Sequence, residues 1–565
     1  MSSGLGSVIV MDRSQAQVVA LPADASGLVV GAAGTGKTSA ILERTARLLR
    51  GGEVLPDELL ILTPTRQTAT DLRDRVTANL DIATPGPLAR SIASFAFQIV
   101  RSRAVAAGDP LPQLLTAPDQ DAVIADLLEG DEADAEEGAS RWPESLGTAV
   151  RRSRAFRSEL RALFALATEL GLAPDDLERL GADRANAVWA AAGSFWREYR
   201  YVLSRLRPAH RDPAEILREA TDALLRGGDA TAQRVLMVDD AQELSWGAVA
   251  LLEAAHARGV AVLAFGDPDV GSGAFRGAGP ETFARLTSMF ADRYVLRRQH
   301  RSRPDLVRVA RTVAGSIGAA GAVEHRLAPD AELPDAAGVA GEISTMWAAS
   351  PHEELDAIAR TLRSWHLSEG LPWREIAVIA HDTRQVARLT AELAAREVPT
   401  RAASAARPLG EEPAVRGLLH LVRLGMLPPA ERPAEELAGA LTSPFGGLDA
   451  IGLRRLRAVL RTQEFEGESR RSAAALLTEA MAEPAALVLI DTPQARTAHR
   501  LAQTLAQIHA GAARGDSAHE LLWTAWDRSQ LAGPWRERAR LGGAEGAEAT
   551  RSLDALVALF AAAKR

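Results

Sequence analysis

The feature that most constrains the fold is a glycine-rich octapeptide near the N-terminus. It runs from Gly31 to Thr38 and fits the pattern G-x-x-x-x-G-K-[ST]. The apolar run from Leu28 to Val30 precedes it, and helix-forming residues follow to about Arg50. This strand–loop–helix context is the one in which the pattern binds phosphate, whereas the alternative is a glycine-rich turn with an incidental lysine. The octapeptide therefore predicts an α/β fold with a parallel sheet.

The same octapeptide predicts ATP and Mg²⁺ as cofactors. Its amides and the positive end of the following helix suit phosphate oxygens, the Lys37 ammonium suits the β and γ phosphates, and the Thr38 hydroxyl suits the metal. Of the 65 basic residues only Lys37 and Lys564 are lysine, so the lysine kept in this loop is expected to have a specific role. The predicted nucleotide-binding residues of the loop are Gly31, Ala32, Ala33, Gly34, Thr35, Gly36, Lys37 and Thr38.

A second candidate element is an apolar run that ends in two carboxylates. Val235 to Val238 reads as a strand, and Asp239 and Asp240 follow it. Open α/β sheets bind ligands at the carboxyl ends of their strands, so Asp239 is a candidate Mg²⁺ ligand and Asp240 a candidate group for polarising the attacking water. A purely structural pair of aspartates is the alternative for this motif taken alone.

Composition limits the other classes of function. A chain of 565 residues is expected to form several domains. The absence of cysteine excludes disulfides, thiolate metal sites and cysteine nucleophiles within this chain. The net charge of −8 neither supports nor excludes DNA binding, and the sequence has no apolar run of membrane-spanning length. We therefore expect a cytoplasmic protein with no membrane partner.

The pattern of apolar runs divides the chain into alternating α/β and helical stretches. Strands are predicted at 28–30, 59–62, 235–238, 260–265, 342–346 and 376–380, the last two around a helix at about 353–365. Residues 106–214 and those after about 425 have helical character. The basic cluster of Arg151, Arg152, Arg154, Arg157 and Arg161 suits either duplex phosphates or a solvated helical face.

Six short segments, in order, resemble the boxes of superfamily 1 DNA helicases of the UvrD and Rep type. Asp239-Asp240-Ala241-Gln242 resembles the D-E-x-Q box, and Leu296 to Ser302 resembles L-x-x-N-Y-R-S. The others are the octapeptide itself, Met11 to Gln15, Thr63 to Ala69, and Gly266 to Asp269 followed by Phe275 to Ala278. The resemblance spans the chain from about residue 11 to its end, and implies two RecA-like motor cores that bind ATP between them and single-stranded DNA across them.

The resemblance also implies roles for residues outside the loop. Gln15, Ser39, Gln242 and His300 fall at nucleotide-binding positions, and Arg301 falls at the position of the arginine that contacts the γ-phosphate. Positions on the DNA track are Thr63, Arg66, Phe275 and Arg276. Three of these residues have a plainer alternative: Phe275 suits a core position, Arg66 a surface charge and His300 a surface histidine.

Several family positions carry residues that do not suit fast hydrolysis. The water-activating glutamate is replaced by Asp240, and the γ-phosphate-sensing glutamine by Val270, which cannot form that hydrogen bond. Gly273 stands for a DNA-stacking aromatic residue and Ala93 for a histidine. Because a misplaced general base costs about 10² to 10⁴ in rate, the hypothesis is a site that binds ATP and hydrolyses it slowly.

Within this family the chain is most similar to actinobacterial helicase-nucleases of the AdnA type. The similarity rests on the stretch Leu441 to Asp449, on the bias toward arginine and on the altered boxes. It implies a heterodimer with an AdnB-like helicase-nuclease that resects double-strand breaks for recombinational repair. Before Arg565 the sequence has neither the last two family boxes nor a RecB-like nuclease domain, so we expect the second core to be incomplete here.

The expected architecture is two RecA-like parallel-sheet cores of the P-loop NTPase class, each with a helical insertion. The predicted divisions are 1–105 and 215–297 for the first core, 106–214 for its insertion, 298–425 for the second core and 426–565 for the second insertion. Two other functions remain open at this point: a non-hydrolysing nucleotide-bound scaffold that clamps DNA beside a partner motor, and a phosphate-loop NTPase unrelated to nucleic acid.

Overall fold

The computed structural model describes residues 11–80, 82, 84–136, 138, 140–227, 231–273, 277–318, 323–327, 343–401, 409–464 and 471–563. The chain forms two compact units, residues 1–343 and 344–565. The five-part division from sequence stays a prediction. Among the described helices, none combines the length and the apolarity that a membrane span needs.

A six-stranded parallel sheet forms the centre of the first unit. The strands of this unit are β1 Gly27–Val30, β2 Leu59–Thr63, β3 Ala89–Ser91, β4 Gln113–Leu114, β5 His210–Arg211, β6 Val235–Val238, β7 Ala261–Gly266 and β8 Arg293–Val295. The sheet order is β3-β2-β6-β7-β1-β8, and β4 pairs with β5 in a separate two-stranded sheet. The four strands predicted in this region are confirmed, whereas β3 and β8 have too few residues to give a periodic signal.

Helices cover both faces of the sheet. The helices of the first unit are α1 Arg13–Val19, α2 Lys37–Arg50, α3 Arg66–Asn79, α4 Ile92–Ala107, α5 Ala117–Glu136, α6 Thr148–Arg151, α7 Arg154–Glu169, α8 Pro174–Asp183, α9 Ala187–Leu206, α10 Pro213–Arg226, α11 Trp246–Ala257, α12 Pro280–Met289 and α13 Pro304–Ser316. One apolar layer contains α4, α10 and α11, and the other contains α2 and α3. The strands are buried on both faces, which explains their continuous apolar sequences.

Helices α5, α7, α8 and α9 build a separate core within the stretch expected to be helical. Its centre is aromatic: Phe164 stacks on Trp196 at 5.5 Å, and Trp142 meets Phe156 edge-on at 5.3 Å. Helices α8 and α9 approach closely at two glycines. A Cβ at Gly181 would lie 2.8 Å from the Cα of Ala190. The two-residue strands β4 and β5 were not predicted, since so short a pair has no sequence signature.

The second unit is helical in the residues described. Its helices are α14 Pro351–Leu367, α15 Thr383–Ala395, α16 Pro413–Met426, α17 Ala434–Thr442, α18 Ala450–Glu464, α19 Ala473–Ala482, α20 Pro484–Val488, α21 Pro493–Arg514, α22 Ala518–Ser529, α23 Ala532–Leu541 and α24 Gly543–Ala563. Most of them share one apolar core. Helix α14 confirms the helix predicted at about 353–365.

The strands predicted at 342–346 and 376–380 are wrong for the residues described. Residue 342 lies outside those residues, and residues 343–346 and 376–380 have no strand structure. A strand needs a hydrogen-bonded neighbour, and the described part of the second unit offers none. Ile379 is consequently 94% exposed. A second parallel sheet is therefore absent from the described residues.

Candidate nucleotide site

The loop between β1 and α2 has the conformation that its glycines permit. Gly34 and Gly36 adopt φ values of 91° and 81°, in the left-handed region where a side chain is strained. Helix α2 begins at Lys37 immediately after Gly36. The Lys37 ammonium folds back and donates to the carbonyl oxygens of Gly31 at 2.6 Å and Ala32 at 3.3 Å. The ammonium thus lies inside the curve of the loop.

The Thr38 hydroxyl donates to a carboxylate oxygen of Asp239 at 2.8 Å. Strands β1 and β6 both flank β7, so the segments that follow them meet at the carboxyl edge of the sheet. Burial, together with the neighbouring Asp240, raises the pKa of Asp239 to about 6. Adjacent oxygen ligands of octahedral Mg²⁺, with bonds of about 2.1 Å, lie about 3.0 Å apart. The two side chains therefore fit as neighbouring ligands of one magnesium ion.

Three further polar groups continue this edge of the sheet. Asp240 adopts a left-handed backbone with φ of 51°, unusual for a residue other than glycine. The buried Gln242 amide donates to Asp240 Oδ1 at 3.4 Å and accepts from the Asp267 amide at 3.0 Å. Burial lowers the pKa of Lys37, and the carboxylates of Asp267, Asp239 and Asp240 oppose that shift. The edge thus gathers three acids around one lysine.

Residues 11–291 match the sequence model of the UvrD/REP helicase N-terminal domain. This stretch is a superfamily 1 UvrD-type helicase domain. The family implies an ATP-dependent motor that acts on DNA, and ATP with Mg²⁺ as its usual cofactors. A comparison with the curated proteins found no match. The six-stranded parallel sheet is consistent with a RecA-like helicase core.

In the helicase domain, α1 lies beside the phosphate loop. Its cap residue Asp12 holds the ring of His300 by a 2.8 Å hydrogen bond to Nε2. The buried Gln15 amide donates to the carbonyl oxygens of Thr35 at 3.2 Å and Gly36 at 3.5 Å. A cavity of about 480 Å³ opens beside α1, with a lining of Asp12, Arg13, Ser14, Gln17, Val295, Arg297 and Arg298.

The segment that follows β8 covers the phosphate loop of the helicase domain. Buried Gln299 donates through Nε2 to the Ala33 carbonyl oxygen at 2.6 Å, and the His300 amide donates to the Gly34 carbonyl oxygen at 2.9 Å. Arg301 is exposed, and its charge contributes to lowering the pKa of Lys37. Predicted residues His300 and Arg301 are therefore beside the loop, as is Ser39, which is half-buried on α2.

Two aspartates after β7 form an ionic cluster with a distant segment. His325 Nε2 lies 2.9 Å from Asp269 and 3.3 Å from Asp267, and Arg326 forms a two-pronged ion pair with Asp269. Burial opposes protonation of His325, but the two carboxylates outweigh it and raise its pKa. Such a trio also has the composition of a cation site. Because His325 and Arg326 already neutralise both carboxylates, we assign it as an ion-pair cluster.

The residues predicted to lie on the DNA track stand in different environments, and their role in DNA binding stays a prediction. Thr63 is buried and donates to the carbonyl oxygen of Thr65, so its hydroxyl serves the turn before α3. Arg66 is exposed at the first turn of α3. Phe275 and Arg276 lie outside the described residues. Val270 is 51% exposed, so the residue at the sensor position faces solvent.

The arginine cluster of α6 and α7 is mostly engaged within the protein. Arg152 pairs with Glu132, and Arg157 pairs with Asp121, both on the acidic helix α5. Arg151 is buried. These contacts favour the plainer alternative, a charged helical face, over a surface for duplex phosphates.

Sequence reasoning did not select Asp267 or Gln299 as site residues. Asp267 had a usable signal, since it lies two residues after the predicted strand at 260–265 and directly after β7, at the ligand-binding edge. Gln299 lies within a family box, but a single glutamine in a sequence gives no sign of which group it binds. Its contact with Ala33 spans 266 positions of sequence and depends on how β8 pairs with β1.

Proposed function

We propose that this chain is the ATP-binding motor subunit of a DNA helicase or translocase of the helicase-nuclease type. In this proposal it hydrolyses ATP slowly and works with an AdnB-like partner in resecting double-strand breaks for recombinational repair. The observation that carries the proposal is the contact between Thr38 and Asp239 beside Lys37. A hydroxyl, a carboxylate and an ammonium at one sheet edge match the needs of Mg²⁺ and a triphosphate.

The residues of the site have distinct roles in this proposal. Lys37 leaves the loop carbonyls and pairs with the β and γ phosphates, while Thr38 and Asp239 hold the metal. When bound, Mg²⁺ would neutralise charge on the phosphate oxygens. Asp240 orients the attacking water, and Gln242 holds that carboxylate through the 3.4 Å hydrogen bond. Arg301 approaches the γ-phosphate.

Slow hydrolysis is proposed from two features of the site. Asp240 is one methylene shorter than the glutamate of the family box, and its strained backbone and its bond to Gln242 limit its reach. Val270 has no polar atom and faces solvent, so no side chain at that position bonds to the γ-phosphate. Neither feature changes the groups that bind the nucleotide, such as Lys37 and Thr38.

The helicase-nuclease assignment rests on the resemblance of the stretch Leu441 to Asp449, on the bias toward arginine and on the altered boxes. The stretch Leu441 to Asp449 includes a tight turn at Gly446 and Gly447, and Gly447 has a φ of 78°. A Cβ on Gly446 would lie 2.5 Å from the Cα of Leu441, so this turn has no space for a larger residue. The shape of this turn therefore accounts for both glycines of the stretch.

A second candidate function is a nucleotide-bound scaffold that clamps DNA without turning over ATP. The solvent-facing Val270 and the short Asp240 favour it, because both weaken hydrolysis and leave binding intact. In this case a partner motor would supply all of the movement.

Steady-state ATP hydrolysis with and without single-stranded DNA separates the candidates. A DNA-stimulated rate that Lys37→Ala abolishes supports the motor. Binding of a fluorescent ATP analogue without turnover supports the scaffold, and turnover indifferent to DNA contradicts both. Lys564→Ala is the matched control, since it changes the only other lysine in the sequence. Adding the partner subunit and a blunt duplex tests the resection role by the release of single-stranded products.

A further inference from the structure

Arg44 is a charged residue with no exposed surface. It lies on α2 seven residues after Lys37, which places it about two helical turns further along the same side of the helix. Its guanidinium donates to main-chain carbonyl oxygens at the end of α1 and in the turn that follows. The acceptors are Val18, Val19, Leu21 and Pro22. A buried cation thus joins the helix of the phosphate loop to the end of α1.

The main-chain carbonyl groups at the C-terminal end of α1 stabilise the positive charge of Arg44. Burial lowers the pKa of Arg44 to about 10. Unpaired carbonyl groups and the negative end of the helix dipole meet at the last turn of a helix, so a cation is favoured there. Arg47 reinforces the contact by donating to the carbonyl oxygens of Val19 and Leu21, both at 2.7 Å. The two arginines together hold the C-terminal end of α1.

The opposite end of α1 contacts the nucleotide site. Asp12 holds His300, and Gln15 donates to the carbonyl oxygens of Thr35 and Gly36. An isolated helix of seven residues is unstable in water, so α1 depends on external contacts for its position. A shift at the end held by Arg44 therefore moves Asp12 and Gln15 relative to the loop.

We infer that Arg44 is a positioning residue that sets, through α1, how Asp12 and Gln15 meet the base of the bound nucleotide. This inference rests on the proposed ATP site. Arg44 donates its hydrogen bonds to α1 and the turn after it, whereas Lys37 and Thr38 belong to the phosphate loop itself. Substitution of Arg44 should therefore alter recognition of the base and leave the grip on the phosphates unchanged.

The test compares three ligands: ATP, GTP and inorganic tripolyphosphate. Their dissociation constants are measured by calorimetry with Mg²⁺ for wild type, Arg44→Met and Arg47→Met. We expect Arg44→Met to reduce the preference for ATP over GTP by about two- to tenfold, which is the change in affinity that the loss of one hydrogen bond produces. The affinity for tripolyphosphate should be unchanged. Arg47→Met should give a smaller loss, because it leaves Arg44 in place. Arg44→Lys should restore part of the preference.

The matched control is Arg50→Met on the same helix. Arg50 also donates to a main-chain carbonyl oxygen, that of Asn79, but does not contact α1. An unchanged ATP preference in folded Arg44→Met, or an equal loss in Arg50→Met, overturns the inference. A parallel loss of tripolyphosphate binding also overturns it. If Arg44→Met does not fold, Arg47→Met and Arg44→Lys decide by the same criteria. Wild type that binds neither ATP nor tripolyphosphate contradicts the proposed function itself.

Discussion

The hydroxyl of Thr38 and the carboxylate of Asp239 are 201 positions apart in sequence and 2.8 Å apart in space. Thr38 lies in the first turn of α2, which follows β1, and Asp239 follows β6. Because β1 and β6 are parallel, the segments that follow them lie at the same edge of the sheet. Only β7 separates the two strands, so these segments are close together. This contact is the point at which the phosphate loop and the acidic strand end become a single site.

Thr38→Val should reduce the Mg²⁺-dependent part of ATP affinity by about tenfold or more, because valine preserves the shape of threonine without its oxygen ligand. ATP binding measured with Mg²⁺ and with EDTA checks this. Thr45→Val, two turns further along α2, is the control, since the Thr45 hydroxyl bonds only to the Ile41 carbonyl. An equal loss in both variants would argue against metal ligation by Thr38.

Asp239→Asn should stabilise the protein at neutral pH when Mg²⁺ and nucleotide are absent. The folded pKa of about 6 is above the ordinary value, so protonated Asp239 stabilises the fold below about pH 4 and this contribution is lost as the pH rises through 6. The gain from the substitution is expected to reach about 1–3 kcal/mol near pH 8 and to vanish near pH 4. Denaturant unfolding at several pH values measures it. A gain independent of pH would contradict the assignment.

Asp240→Glu combined with Val270→Gln should raise DNA-stimulated ATP turnover by about tenfold or more, because it restores the reach of the water-orienting carboxylate and a polar sensor. The complete protein with its partner is the assay system. Asp240→Asn with Val270→Leu is the opposing comparison, because it removes the carboxylate and supplies no polar sensor, so it should lower the rate. If both double variants have the wild-type rate, the altered boxes do not limit hydrolysis.

His325→Gln should destabilise the first unit more at low than at high pH. The pKa of His325 is raised by Asp267 and Asp269, so the stability from its protonated form is complete below about pH 6.5 and is lost as the pH rises through the folded value. Arg326 keeps its ion pair with Asp269 throughout. Thermal unfolding at about pH 6 and pH 9 tests this. A pH-independent difference would mean that His325 acts through packing alone.

Gly181→Ala and Gly130→Ala should have opposite effects on stability. Both glycines are helical, but a Cβ at Gly181 would lie 2.8 Å from the Cα of Ala190, whereas nothing lies within 4 Å of one at Gly130. We expect a loss of about 1–3 kcal/mol for the first and a gain of about 0.5–1 kcal/mol for the second. Urea unfolding compares them. Equal effects would contradict the close approach of α8 and α9.

The sequence was sufficient for the elements whose signals are local. The octapeptide from Gly31 to Thr38, the strand before it and the helix to Arg50 follow from glycine spacing and apolar patterning alone. The carboxylates after β6 were found because an apolar strand ending in acids is itself a pattern. The prediction at 376–380 was wrong because apolar content indicates burial, but pairing requires a neighbouring strand that local sequence does not supply.

Tertiary structure decided which of these local features meet. The order β2-β6-β7-β1 places Asp239 and Asp267 beside Lys37, and the pairing of β8 with β1 brings Gln299 onto the phosphate loop. Arg44 is one arginine among many in the sequence, and only its burial against the end of α1 distinguishes it. The sequence by itself determined the nucleotide-binding loop, because its chemistry lies within eight residues. The arrangement around that loop depends on contacts across hundreds of residues, which only the folded sheet specifies.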